Sequence, residues 1–330
     1  MGQILPETVR SPVRTSSVAI AARTATAALL ISGVLLLAGC GGSSGLSKSS
    51  MTISACMDPS EAASKDIRRN LSVIRGSPLC YRRQEVREGA FRWVLHILEN
   101  RKSPDGPFWV LPHDNEDTAF DAAVYAVMTY GGGLLAVDSA GQRRMLGQDP
   151  NRNFSVSQAE SRLCRHQRRS APGYTAAVLG HFKGRRGPYL ALHNNHNGWQ
   201  GNGGRGTISV FRDTAVLQGF PAGRTGGALR DEDNLVFVAS PRPLSTDPAT
   251  RRRISDLNAA GLNVVHKRVD ARSFDCSLSD YVARHRLGDY YNIEAQYGHR
   301  LAQQEMIDRL LQTLGIRSLR PTAPSPFLDG

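Results

Sequence analysis

Short apolar runs alternate with stretches of helical pattern along most of this 330-residue chain, and this alternation constrains its fold more than any other feature. Strands that alternate with helices are typical of a layered α/β domain, so we predict one such domain over residues 51–318. A hydrophobic content of 40% excludes a disordered chain. The Pro-rich residues 319–330 are predicted to be a disordered tail. The predicted strands are 108–111, 134–137, 189–192, 207–211, 235–239, 262–265 and 290–295, and the predicted helices are 118–130, 248–260 and 301–314.

The first 39 residues have the pattern of a secretory signal peptide. Three arginines and one acid precede an apolar run that is short for a membrane span. The end of this run, Leu-Ala-Gly-Cys40, resembles a bacterial lipobox. That resemblance implies cleavage before Cys40 and lipidation of its thiol. The protein would then be a lipoprotein of the bacterial cell envelope, facing the periplasm or the outside, and held at the outer membrane in a Gram-negative cell. A plain signal peptide is the alternative, and residues 40–50 are predicted to be a flexible Ser/Gly tether.

The remaining cysteines fit an exported protein. Cys56, Cys80, Cys164 and Cys276 are even in number, and an oxidising compartment favours two disulfides. Four cysteines allow three pairings, and the sequence does not choose among them. Our hypothesis is that Cys56 pairs with Cys80 and Cys164 with Cys276. The chain has no Cys-x-x-Cys pair, so a cysteine-based zinc or redox motif is not expected.

The chain is strongly basic, with a formal net charge of +12. A basic surface favours anionic partners. For an exported protein these are wall polymer or lipid headgroups, and we expect no nucleic acid partner because no nucleic-acid motif is present. The alternative is that the arginine clusters are solvated faces without a partner.

Polar residues follow several of the predicted strands, where open α/β sheets bind their ligands. His113 and Glu116 come just after strand 108–111, and His193 comes directly after strand 189–192. Zinc accepts imidazole nitrogen and carboxylate oxygen, and a catalytic zinc site has three protein ligands with one open position. We therefore predict one Zn²⁺ held by His113, Glu116 and His193, with His196 as the competitor for His193.

Two further segments carry groups suited to catalysis and to substrate binding. Arg144, Asn151 and Arg152 offer donors for an anionic group, since a guanidinium meets a carboxylate through two parallel hydrogen bonds. Glu294 interrupts the apolar strand 290–295, where an unpaired carboxylate is costly to bury. Beside a metal, such a carboxylate can act as a general base.

Together these motifs resemble the zinc carboxypeptidase superfamily, and their order and wording are most similar to the branch of succinylglutamate desuccinylase and aspartoacylase. The resemblance covers about residues 108–315, with Arg144 eight residues before Arg152. Pro150 replaces the usual Leu, and the chain after Gly315 is too short for the extra C-terminal β domain of aspartoacylase-type enzymes. The motifs are His113-x-x-Glu116, Asp149-Pro-Asn151-Arg152-Asn-Phe154, Leu192-His193-Asn194 and Ile293-Glu294.

The resemblance implies a mixed central sheet flanked by helices, as in zinc carboxypeptidases, and a metallopeptidase-type activity. In that reading Glu294 is the general base, Arg144 stabilises the oxyanion, and Asn151 and Arg152 bind the substrate carboxylate. The expected function is an exported zinc hydrolase of an amide bond beside a free carboxylate, with cell-wall (peptidoglycan) peptides as a natural substrate. The alternatives are an N-acyl amino acid deacylase and a non-catalytic envelope lipoprotein that binds wall fragments.

Overall fold

The structure is a computed structural model that describes residues 49–164, 169–198, 208–223 and 226–319. Within these ranges ten strands form a single sheet, numbered here along the chain. They are β1 Ser50–Ile53, β2 Leu79–Glu88, β3 Phe91–Asn100, β4 Phe108–Leu111, β5 Gly133–Asp138, β6 Tyr189–Asn195, β7 Leu217–Phe220, β8 Leu235–Ser240, β9 Asn263–Arg268 and β10 Tyr290–Gln296. Their order across the sheet is β1-β2-β3-β5-β4-β6-β10-β8-β9-β7.

Helices cover both faces of this sheet. They are α1 Lys65–Arg69, α2 Leu71–Ile74, α3 Asp117–Tyr130, α4 Gln158–Ser161, α5 Pro172–Gly180, α6 Pro248–Ala259, α7 Leu278–Arg284 and α8 Arg300–Thr313. Apolar side chains of α3, α6 and α8 pack on one face of the sheet, and those of α5 and α7 pack on the other. The protein therefore has the α/β architecture that was predicted, a mixed central sheet flanked by helices.

The centre of the sheet is a parallel block, and this block positions the candidate site. Strands β5, β4, β6 and β10 run in the same direction. Their carboxyl ends therefore meet at one edge of the sheet, where ligands bind in open α/β folds. Strand β8 runs antiparallel to β10, so the residues that precede β8 reach the same edge.

Helix α3 shows how the sequence sets this arrangement locally. Its alanine-rich sequence favours a helix, and Phe120, Val124 and Val127 are buried against the sheet. Gly131, with φ of 79°, caps the helix, and Gly132 follows with φ of 73°. A Cβ at Gly132 would lie 1.9 Å from the carbonyl oxygen of Pro107, so only glycine allows the tight return into β5.

One predicted strand is wrong. Within the prediction 207–211, the described residues 208–211 form a loop and a turn. Val210 is buried in a small apolar cluster with Leu235 and Val265, and its carbonyl oxygen lies against Gly219. The place beside β9 is taken by β7, so the apolar residues around Val210 pack on the sheet without joining it.

The structure contains the disulfides Cys56–Cys80 and Cys164–Cys276, which confirms the pairing hypothesis. Near the two ends of the described chain, Ser50 of β1 pairs with Arg87 of β2, and the backbone N–H of Leu319 donates to the carbonyl oxygen of Thr129.

Several predictions concern other parts of the chain. The signal peptide, the lipidated Cys40, most of the tether and the tail after Leu319 lie outside the described residues. Among the described helices, none has the length and apolar character to cross a membrane.

Candidate metal centre

The three predicted zinc ligands follow two neighbouring strands. His113 comes two residues after β4, Glu116 immediately precedes α3, and His193 lies near the end of β6. β4 and β6 are parallel neighbours, with Trp109 opposite Leu190. The fold therefore brings His193 to the same edge as His113 and Glu116, which lie about 80 residues earlier in the sequence.

These three side chains form a compact buried cluster, called the histidine site below. Their ligand atoms all lie within 4.8 Å of one another, and the residues are only 4%, 5% and 4% exposed. His113 Nδ1 lies 2.8 Å from Glu116 Oε1, and the two imidazole rings meet edge to face with centroids 5.0 Å apart. Two imidazoles and one carboxylate are a donor set that zinc accepts, so the residues present fit a divalent metal ion.

A second carboxylate, that of Asp149, holds His113 from the other side of the ring. Its Oδ1 lies 2.8 Å from His113 Nε2, so the other nitrogen faces Glu116. Burial alone would lower the pKa of His113, but Glu116 and Asp149 outweigh it and raise that pKa above its usual value. Burial likewise opposes ionisation of Asp149, but His113, Arg152 and Arg143 lower the pKa of this carboxyl. A carboxylate behind a metal-binding histidine fixes the ring and increases its basicity.

Both carboxylate oxygens of Glu116 accept hydrogen bonds. Oε2 accepts the backbone N–H of Asn194 at 3.0 Å, and Oε1 accepts from Arg143 Nη1 at 2.8 Å. Burial would raise the pKa of Glu116, but the nearby His113 and His193 outweigh it and lower that pKa. Glu116 is therefore held as a carboxylate, the form that binds a metal ion.

His193 is held by two asparagines, one at each ring nitrogen. Nδ1 lies 2.8 Å from Asn292 Oδ1, and Nε2 lies 3.2 Å from Asn151 Nδ2. Asn292 Nδ2 donates to Glu294 at 2.8 Å, so its Oδ1 is an acceptor and the proton of His193 lies on Nδ1. A metal ion bound by His193 has to replace one of these two contacts.

Glu294 stands beside the histidine site, where the sequence predicted a base. It is directly opposite His193 in the parallel pairing of β10 with β6. Its Oε1 lies 3.9 Å from His193 Nδ1, and its side chain is 16% exposed. The carboxylate thus lies beside the site near the carboxyl end of β10, and Asn292 is its hydrogen-bonded partner.

The structure brings a different arginine to the site from the one predicted. Arg143 contacts Glu116, and its Nε lies 3.7 Å from Asp149 Oδ2. Arg144 is exposed and makes no hydrogen bond or ion pair with any residue in the described ranges. The predicted role of Arg144 in stabilising the oxyanion stays a prediction, and Arg143 is the cation that the fold places at the ligands.

The two predicted carboxylate-binding residues have different surroundings. Asn151 is occupied, because its Nδ2 contacts His193 and its Oδ1 accepts the backbone N–H of Leu278 at 3.2 Å. Arg152 is 30% exposed at its side chain, with Nε 3.6 Å from Asp275 Oδ2 and Nη1 bound to the carbonyl of Asn151. Arg152 therefore retains donors for an anionic group, whereas Asn151 positions His193.

The competitor for the third ligand position, His196, is exposed and is not part of the buried cluster. The residues that sequence reasoning missed are Asp149, Asn292 and Arg143. Asp149 belongs to the motif Asp149-Pro-Asn151-Arg152, in which the sequence suggests a binding role only for Asn151 and Arg152. Asn292 could have been found from its spacing, since residues two apart on a strand share one face.

No protein-family model matches the sequence, and no curated protein matches it. The chain is similar in structure to three solved chains, each named a "putative metallopeptidase", from Shewanella amazonensis, Shewanella denitrificans and Shewanella baltica. The first has a TM-score of 0.37 at 12% identity and covers 69% of this chain and 84% of its own. The second has a TM-score of 0.32 at 11% identity and covers 69% of this chain and 79% of its own. The third has a TM-score of 0.31 at 11% identity and covers 70% of this chain and 82% of its own. At these values the similarity adds nothing to the assignment of the site, which stands on the contacts above.

Proposed function

We propose that the protein is a zinc-dependent hydrolase that cuts an amide bond beside a free carboxylate. The observation that carries this proposal is the convergence of His113, Glu116 and His193 on one buried point with the carboxylate of Glu294 beside them. A structural metal site has no need of that fourth group, because its ligands close the coordination sphere.

The ion would be held by His113, Glu116 and His193, and when bound it supplies a Lewis acid that polarises a carbonyl and makes a water molecule acidic. Glu294 accepts the proton of the attacking water at its carboxylate and passes it to the leaving amine. Asn292 donates to Oε1 of Glu294 at 2.8 Å and so orients that carboxylate.

The substrate carboxylate would be bound by Arg152, whose guanidinium is partly exposed beside the site. Asp275 steadies this arginine, and Lys267 in turn binds Asp275 at 3.0 Å and Asp280 at 2.8 Å. Asn151 links the two parts of the site, because its backbone carbonyl accepts from Arg152 and its side chain contacts His193. A substrate carboxylate at Arg152 would thus be placed at a fixed distance from the metal ligands.

The remaining parts of the proposal come from the sequence. The signal pattern and Cys40 suggest a lipoprotein of the cell envelope, and peptides of the cell wall offer both amide bonds and free carboxylates there. An N-acyl amino acid deacylase uses the same groups, so the substrate panel should contain wall peptides, ordinary peptides and N-acyl amino acids.

The test is hydrolysis of that panel by zinc-loaded protein and by the variant Glu294→Gln. We expect at least one amide substrate to be cut, and the rate to fall about 10²- to 10⁴-fold in the variant, the usual contribution of a general base. Zinc content should be unchanged, because Glu294 is not among the three ligands. The matched control is Glu61→Gln, which changes an exposed acid to its amide in a 3₁₀ turn that contributes no residue to the site.

The result that would overturn the proposal is a zinc-loaded protein that cuts nothing in the panel, or an equal rate in the Glu294→Gln variant. Retention of wall fragments without turnover would instead support the non-catalytic binding protein.

A further inference from the structure

We propose that the protein has a second cation site, built from oxygen ligands alone and suited to Ca²⁺, at the carboxyl ends of β6 and β10. Its ligands are the carboxylates of Asp231, Glu232 and Asp233 with the side-chain oxygens of Asn195 and Gln296. This group is called the oxygen site below. The inference does not depend on the proposed hydrolase activity.

The pairing of strands places the oxygen site one step beyond the histidine site. His193 is opposite Glu294 in β6 and β10, and two residues further on Asn195 is opposite Gln296. Residues two apart on a strand point to the same face, so the second pair continues the row that the first begins. The acidic segment precedes β8, whose first residue, Leu235, is also opposite Glu294.

The acidic residues are fixed against the end of β6. Asn195 Nδ2 donates to the backbone carbonyl of Asp233 at 2.8 Å, and Asp233 Oδ2 accepts the N–H of Gly198. The backbone N–H of Asp233 donates to Asp231 Oδ1 at 3.1 Å. The ligand oxygens of Asp231, Glu232 and Asp233 lie within 4.8 Å of one another.

Four oxygen atoms here are buried and have no hydrogen-bond partner among the residues that the structure describes. They are Asn195 Oδ1, Glu232 Oε1, Asp233 Oδ1 and Gln296 Oε1. Asp233 is fully buried and Asn195 is 6% exposed. A buried acceptor without a donor costs roughly 1–3 kcal/mol, and proteins rarely leave one in that state. Two of these atoms belong to carboxamides outside the acidic segment, so the need for a ligand is not confined to the three acids.

The three acids carry like charges at close range. In the described part of the chain, none of the ion pairs involves Asp231, Glu232 or Asp233. Burial raises the pKa of Asp233 to about 6, and Glu232, Asp231 and Glu294 add to that rise. Three acids crowded around buried oxygens are stabilised by a bound cation.

The donor chemistry identifies the cation. The oxygen site offers no imidazole or thiolate, which zinc and copper prefer, but carboxylate and carboxamide oxygens, which hard cations prefer. Ca²⁺ takes six to eight oxygens in a flexible geometry, whereas Mg²⁺ demands a near-ideal octahedron and retains several waters. Ligands that come from a loop and from two strand ends suit the larger ion.

The test is calorimetric titration of Ca²⁺ into the protein after chelator treatment, with thermal unfolding measured in parallel. We expect one Ca²⁺ per chain and a midpoint of unfolding that rises with Ca²⁺ concentration, because the ion binds the folded state only. The variants Glu232→Gln and Asp233→Asn should each weaken Ca²⁺ binding at least tenfold. Glu232 is half-buried, so its variant keeps the test valid if the buried Asp233→Asn fails to fold.

Two controls separate this site from others. Asp105→Asn, an exposed acid on a loop before β4, should leave the affinity unchanged. His193→Ala should also leave Ca²⁺ binding intact, since imidazole is not a ligand here. The proposal is overturned by the absence of saturable Ca²⁺ binding, by equal affinity in Glu232→Gln, or by loss of binding in His193→Ala. Binding of Mg²⁺ as tight as that of Ca²⁺ would overturn the choice of ion.

Discussion

The histidine site and the oxygen site lie next to each other at the carboxyl ends of the central strands and share β6, yet their polar atoms differ in how many hydrogen-bond partners they have. In the histidine site each ring nitrogen and each oxygen of Glu116 already has a partner. In the oxygen site four acceptors have no partner within the described part of the chain. The first is a preorganised set of ligands held by neighbours, and the second is a set that a cation has to complete. Two neighbouring sites at one sheet edge can therefore differ both in the kind of metal-ligand atom and in how many of these atoms have hydrogen-bond partners.

The largest expected effect is a loss of zinc affinity at the histidine site. The variant His113→Ala removes one of three ligands, so we expect zinc affinity to fall by more than about 100-fold, the upper range for changes behind the ligands. Competition titration against a zinc chelator measures this. Calcium affinity in the same variant should be unchanged, and a parallel loss of both ions would show that the two sites are one.

A smaller effect is expected from the residue behind His113. Asp149→Asn keeps the shape of the side chain but removes the charge that holds His113 Nε2 at 2.8 Å. Zinc affinity should fall about 10- to 100-fold, as for other carboxylates behind a metal-binding histidine. The same titration applies, with Glu61→Gln as the matched control. An unchanged affinity would mean that Asp149 serves only to cap the 3₁₀ turn that follows it.

The Ca²⁺ affinity of the oxygen site should depend on pH. The pKa of Asp233 is raised to about 6 without a cation, by burial first and then by Glu232, Asp231 and Glu294. Below that pH a proton occupies the carboxylate and competes with Ca²⁺, so we expect affinity to fall about tenfold from pH 7 to pH 5. Calorimetry at the two pH values measures the change. In Asp233→Asn the same change of pH should have much less effect, and an unaltered dependence there would assign the proton to another group.

The smallest effect concerns the two adjacent arginines. Arg143 donates to a ligand oxygen of Glu116, so its positive charge opposes a metal ion. Because its side chain is 48% exposed, solvent screens this effect, and Arg143→Gln should raise zinc affinity only about two- to fivefold. Arg144→Gln should leave zinc affinity unchanged. If Arg144→Gln alone slows hydrolysis, the predicted oxyanion role belongs to that residue after all.

The sequence predicted those parts of the molecule in which a short apolar run forms a strand and a polar residue follows or interrupts that run. The parallel strands β4, β6 and β10 are short apolar runs, and His113, His193 and Glu294 were recognised because each follows or interrupts one of them. The fold class follows from the same alternation.

The long hairpin of β2 and β3 was missed because it is rich in charge. Strand β2 contains Arg82, Arg83, Glu85 and Arg87, so its sequence does not form an apolar run even though most of its residues are buried. Glu85 pairs there with Arg83 and Arg87 of its own strand and with Arg92 of β3, and the pair with Arg92 forms only when the hairpin folds.

The choice between Arg143 and Arg144 could not be made from the sequence either. Both lie in an irregular turn in which Leu146 and Gly147 have φ of 48° and 78°, so no period fixes which side chain faces the site. The oxygen site was missed for a related reason. Asp231-Glu232-Asp233 has the composition of a solvated loop, and only the contact of Asp233 with Asn195 and Gly198 buries it.

The disulfide Cys164–Cys276 has a practical consequence for anyone preparing this protein. The carbonyl of Cys276 accepts the backbone N–H of Phe154, and the nearby N–H of Leu278 donates to Asn151, so this bridge secures the segment that carries Asn151 and Arg152. The zinc ligands lie on other segments, on β6 and at the end of β4. The secured segment nevertheless also carries Asp149, which holds His113, and Asn151, which holds His193. Recombinant material made in a reducing cytoplasm would lack the bridge, so zinc binding and hydrolysis should be measured on protein in which Cys164–Cys276 has formed.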